Sequence, residues 1–122
     1  ILNTARITVA GGVGGNGAGT TGVANAGSGA GGGGSGGVIH VVAPTVRADS
    51  GATLDARGGA GGGVPRSCGA GSFGGAGGLG RIRFSVEPTT CTVGATTYPP
   101  MPAGGCVPNA TPGEVYVGAY PL

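Results

Sequence analysis

Glycine occupies 33 of the 122 positions, and 27 of the 33 fall in two tracts, residues 11–37 and residues 58–80. No other feature constrains the fold as strongly. Ordering a glycine costs more backbone entropy than ordering any other residue, and structureless loops of this length are uncommon inside a compact domain. Three arrangements compete: loops, turns and bulges around a β-helix, and extended left-handed polyglycine II segments lying side by side. The last has about three residues per turn and no internal hydrogen bonds, so its N–H and C=O groups can bond laterally. The other residues of the tracts are mostly Ala, Val, Ser, Thr and Asn, which suits close packing. Ordered packing is the expectation.

The remaining composition limits what else can hold the fold together. Charged residues are 8% and aromatics 4%, and Trp is absent. Large side chains remove the most apolar area from water, so the core must be thin or built from main chain on main chain. The net charge of +2 comes from six Arg, no Lys and four acids. Nucleic-acid binding needs a clustered positive stripe, and none is visible. Low charge and several Val/Ile runs also weigh against disorder.

Short strand-like segments flank the tracts. Ala5–Ala10 alternates, with Ile7 and Val9 on one face and Arg6 and Thr8 on the other. Val38–Ala43 is apolar on both faces apart from His40, the pattern of a strand covered on both sides, and Pro44 ends it. Thr45–Ala48 and Ala52–Ala56 follow, separated by the turn signal Asp49-Ser50-Gly51. Arg81–Val86 places Ile82, Phe84 and Val86 on one face and Arg81, Arg83 and Ser85 on the other, and Glu114–Tyr120 reads as a last strand. Nothing has helical periodicity, and Gly and Pro oppose helix throughout.

These pieces repeat. Ile7-Thr8-Val9-Ala10-Gly11-Gly12 resembles Leu54-Asp55-Ala56-Arg57-Gly58-Gly59, 47 residues on, and Gly36–Val41 resembles Gly78–Phe84, about 43 residues on. Such a period points to a repeat or solenoid design. The expected fold is all-β: a short-strand β-solenoid or β-helix-like body with ordered, polyglycine II-like segments. A β-sandwich with long Gly-rich loops is the alternative. Residues 1–87 form the glycine-rich body, and the Pro- and Cys-containing segment 88–122 packs on the same domain.

The chemistry-bearing residues are sparse. Cys91 and Cys106 bracket a loop rich in Pro and Gly and are the expected disulfide. Cys68 is left over, as a thiol between chains or a buried inert one. No CxxC occurs and His40 is remote from every Cys, so no zinc site is expected. Gly33-Gly34-Ser35-Gly36-Gly37 fits GxSxG but lacks the preceding strand and following helix of a nucleophile elbow. Gly12–Gly17 fits GxGxxG, yet more glycine follows where a helix is needed. Asp49, Asp55, Glu87 and Glu114 are scattered, with no pair suited to acid–base work or a hard cation. His40 reads as a hydrogen-bonded packing residue. Arg81 and Arg83 read first as a solvated face and second as a contact for an anionic glycan or a neighbouring subunit. No catalytic, cofactor or metal residues are expected.

No apolar run reaches the ~18 residues of a membrane helix. The chain starts at Ile1 with no leader pattern, which suggests a processed mature form or a fragment. The strings Gly36–Val46, Ala52–Gly62 and Gly77–Phe84 resemble glycine-rich repeat proteins of the bacterial cell surface, of the lipoprotein-like and secreted myxobacterial type. The resemblance spans roughly residues 5–87. It implies an extracytoplasmic location and a β-solenoid-like arrangement, and it brings no catalytic residues.

The leading functional expectation is a secreted, non-enzymatic structural protein, the subunit of an extracellular filament or surface layer. Its partner is itself, joined through sheet edges carrying Ile7 and Val9 at one end and Val115 and Val117 at the other. A surface adhesin for glycans and an ice-binding protein with a flat repetitive face are the alternatives. No cofactor, nucleic acid or membrane span is expected.

Overall fold

A computed structural model describes residues 1–2, 4–18, 28–64, 73–108 and 114–120. Eight short strands form among them: β1 (Arg6–Thr8), β2 (Val38–Val42), β3 (Val46–Ala48), β4 (Thr53–Asp55), β5 (Arg81–Val86), β6 (Cys91–Val93), β7 (Thr96–Tyr98) and β8 (Val115–Ala119). A 3-10 turn spans Pro88–Thr90, and the described residues contain no α-helix. The protein is all-β, and every strand pairing is parallel.

The strands make three open sheets, ordered β1-β4-β7, β2-β5-β8 and β3-β6. The chain visits the three sheets in turn and then begins again, so the first two circuits add one strand to each sheet and the third adds β7 and β8. The sequence repeat is the pairing register. Ile7 faces Leu54, 47 residues on, and Ile39 faces Ile82, 43 residues on. Segment 88–122 supplies β6, β7 and β8, which extend sheets begun by the glycine-rich part.

Each local element has a chemical reason. The runs are rich in Val, Ile and Thr, which fit a pleated surface. The Asp49 carbonyl accepts the Ala52 N–H at 3.0 Å, closing the turn between β3 and β4. Ile39, Val46, Leu54, Ala56, Ile82, Phe84, Val86, Val115 and Val117 form one buried cluster. Phe84, its largest fully buried side chain, comes from β5, the middle strand of its sheet. The disulfide joins Cys91 to Cys106 with Cα atoms 5.9 Å apart. Both cysteines and Met101 pack against the core cluster, so the intervening loop folds back over it. Cys68 lies outside the described residues.

One expectation fails. β2 is not covered on both faces: Ile39 is buried, but Val38 and Val42 are 64% and 48% exposed and His40 is exposed. As the first strand of its sheet, β2 has one neighbour, and its outer face meets solvent.

Candidate functional site

The described parts of both glycine tracts are hydrogen-bonded, and the bonds recur every third residue. Four segments take part: 9–18, 28–37, 56–64 and 73–80. Gly11, Gly14 and Gly17 donate to the carbonyls of Arg57, Ala60 and Gly63 at 2.8–2.9 Å. Gly31, Gly34 and Gly37 donate to Gly15, Gly12 and Val9. Gly59 and Gly62 donate to Gly34 and Gly31, and Gly33 and Gly36 to Gly75 and Gly78. Gly74, Gly77 and Gly80 donate to Gly62, Gly59 and Ala56. Segments 28–37 and 56–64 therefore each bond to the other three and form the middle of a four-segment bundle.

Close approach excludes side chains from the inner positions. A Cβ on Gly59 would collide with the Gly12 carbonyl, and one on Gly36 with the Ala56 carbonyl. The outer positions carry the exceptions. Ala10, Val13 and Asn16 lie three apart on the first segment, Ser35 on the second, Arg57 and Ala60 on the third, and Phe73, Ala76 and Leu79 on the fourth. All nine are exposed. Asn16 Oδ1 accepts the Gly63 N–H at 2.9 Å, tying the first segment to the third by a side chain. The residue spacing Ala10-Gly-Gly-Val13-Gly-Gly-Asn16, repeated in Phe73-Gly-Gly-Ala76-Gly-Gly-Leu79, is the signal that finds this surface.

Both catalytic-looking strings belong to this bundle. Ser35 sits on an outer position, and Gly33 and Gly36 beside it donate to Gly75 and Gly78. Gly12, Gly14, Gly15 and Gly17 are occupied by bonds to neighbouring segments, and segment 9–18 does not become helical.

The polar side chains gather in two clusters on different sheets. On β4, Asp55 is buried. Arg57 Nε and Nη2 reach its two oxygens at 2.9 and 2.7 Å, Arg57 N–H donates to it at 3.1 Å, and Arg6 Nη2 on neighbouring β1 at 2.9 Å. The Arg57 guanidinium lies over the Tyr98 ring, 4.2 Å from its centroid. Hydrogen bonds from Arg57 hold the Asp55 carboxyl well below the usual aspartate range against the opposing effect of burial, and Arg6 adds to the lowering. The cluster locks three circuits together, because β1, β4 and β7 each supply a member.

The second cluster lies on the outer face of β2-β5-β8, where His40, Arg83 and Tyr116 are in register. His40 Nε2 lies 3.2 Å from Ser85 Oγ, and Arg83 Nε donates to the same oxygen at 3.4 Å. The Arg83 guanidinium sits 5.1 Å from the Tyr116 ring centroid. Ser85 is fully buried beneath these side chains, so it orients its neighbours and is closed to a substrate. The approach of His40 to Ser85 was hidden in the sequence because 45 residues separate them.

The expected inter-subunit residues fall in two different sheets. Ile7 is central in β1 and 37% exposed, while Leu54, its partner on β4, is fully buried. Val9 lies just past β1, donating to Asp55 O and accepting from Gly37, so its main chain is engaged within the molecule. Val115 and Val117 sit on β8 and are buried in the core. The described residues contain no group of three or more His, Cys, Asp or Glu able to hold a metal ion. They also contain no helix long and apolar enough to cross a membrane. No protein-family model matches the chain, and no curated protein or solved structure matches it.

Proposed function

We propose that this chain is a secreted, non-catalytic structural protein, a β-solenoid-like body with polyglycine II-like struts that joins further copies of itself into a filament or surface layer. The three-residue hydrogen-bond period supports the strut reading, since that geometry turns once in about three residues. The ordered return to the same three sheets supports the solenoid reading. The disulfide favours an oxidising compartment, and the resemblance to cell-surface glycine-rich repeat proteins agrees with that.

The observation that carries the assembly reading is the difference between Ile7 and Leu54. These residues occupy equivalent positions on successive circuits, yet the first is partly bare and the second fully buried. β1, β2 and β3 come first in all three sheet orders, and Leu2 is also exposed in this circuit. Bare apolar residues on the outermost circuit of a stack form a surface of the kind that repeat proteins cover with polar caps. Another copy docking there would flank β1 on its open side, as β1 and β7 flank β4 and its buried Leu54.

Electron microscopy and light scattering of the native protein test this. Filaments or sheets are expected, and Ile7→Lys should leave a folded monomer. A wild-type protein that is monomeric by scattering and featureless by microscopy would sink the proposal.

A further inference from the structure

The ion pairs among the described residues use Arg6, Arg57 and Arg47, the last with Asp49. Arg81 and Arg83 take part in none. They lie on the same face of β5 and, at the strand repeat, about 7 Å apart. His40 is the register partner of Arg83 on β2, about 5 Å across. Glu114 contributes its carbonyl to the Ile82 N–H and pairs with neither arginine.

Arg83 is the informative member. It is half-buried, its Nε is fixed on Ser85 Oγ, and its guanidinium is held against Tyr116. Its two terminal nitrogens make no hydrogen bond among the described residues. A guanidinium fixed in this way presents a pre-formed fork for an oxyanion. Ser85 positions His40 beside it. We infer that the outer face of β2-β5-β8 binds the carboxylate or sulfate groups of an acidic polysaccharide through Arg81, Arg83 and His40. Exposed Val38 and Val42 flank His40 along β2 and suit the C–H faces of sugar rings. Nucleic acid fits less well. The Tyr116 face that would stack on a base carries Arg83.

The inference is independent of self-assembly and is tested on whatever oligomer the protein forms. Binding to dextran sulfate, polygalacturonate, neutral dextran and a single-stranded oligonucleotide is measured by titration calorimetry in about 150 mM salt. Wild type should bind at least one acidic polysaccharide and not dextran, and the sulfated and carboxylated polymers show which acid group is taken. Arg83→Gln should weaken binding about tenfold, and Arg83→Lys by several-fold, because the charge remains and the fork is lost. Arg81→Gln, at an exposed position, gives a second reading if Arg83→Gln fails to fold. Arg47→Gln, on another sheet, should bind as wild type does. Absence of binding to both acidic polymers would overturn the inference. So would an Arg47→Gln loss equal to that of Arg83→Gln, or tighter binding of the oligonucleotide.

Discussion

The sheets and the glycine bundle solve the same problem by opposite means. In the sheets, side chains fill the interior: Phe84, Leu54, Ile82, Val86 and Val117 are fully buried. In the bundle, the interior is made of main chain, and side chains are confined to the outside. The sheets are stabilised chiefly by apolar area removed from water. The bundle relies on hydrogen bonds whose net contribution is modest individually, on the order of 1 kcal/mol each, and on close contact between backbones. The ordering entropy of glycine opposes it throughout. The comparison teaches that a thin side-chain core is enough when the rest of the molecule needs none.

The largest test of this contrast is Phe84→Ala, which should cost about 4 kcal/mol in urea unfolding. If sheets and bundle form one cooperative unit, amide-exchange protection should fall in both together. Protection surviving in the bundle alone would separate them. Gly59→Ala is next, at about 3 kcal/mol, because a methyl there meets the Gly12 carbonyl and main chain must move. A neutral Gly59→Ala would show that the segments are not closely packed. Reducing the disulfide opens a loop of 15 residues and should cost slightly less, between about 2 and 3 kcal/mol, read as a drop in Tm.

Acid probes the polar lock between circuits. The Asp55 carboxyl titrates below its ordinary range in the folded protein. Its stabilising contribution is therefore complete at neutral pH and is lost as pH falls through about 4 toward the lowered folded value. Thermal melts should show this decline in wild type and a flatter profile in Asp55→Asn. The smallest effect belongs to Gly78→Ala, an outward position with open space around the new methyl. It should stabilise by about 0.5 kcal/mol, and a loss comparable to that of Gly59→Ala would erase the inner–outer distinction.

Much of the sheet architecture was readable in the chain. The pairing of Ile7 with Leu54 and of Ile39 with Ile82 follows the repeat, because stacked circuits place equivalent residues opposite one another. The Cys91–Cys106 bridge was readable from the loop that it closes. β6 and β7 were not foreseen, since Thr92, Val93, Thr96 and Thr97 lie among prolines and form strands three residues long. Val38–Val42 misled for a physical reason: Val38, His40 and Val42 share the solvent-facing side of the sheet, where apolar residues stand without a covering layer. The Arg6–Asp55–Arg57 lock and the Ser85 bridge depend on cross-circuit neighbours 45 to 49 residues apart, which local patterning does not relate.

The three-residue spacing of the outer positions has a consequence for change over time. At Val13, Ser35, Ala60, Phe73, Ala76 and Leu79, the side chain stands outside the hydrogen-bond network that holds its segment. Each can be exchanged for another residue while the frame stays intact. The bundle thus behaves like a type-case with a fixed slot at every third residue along each segment, whose lettering can be reset one character at a time without recasting the metal.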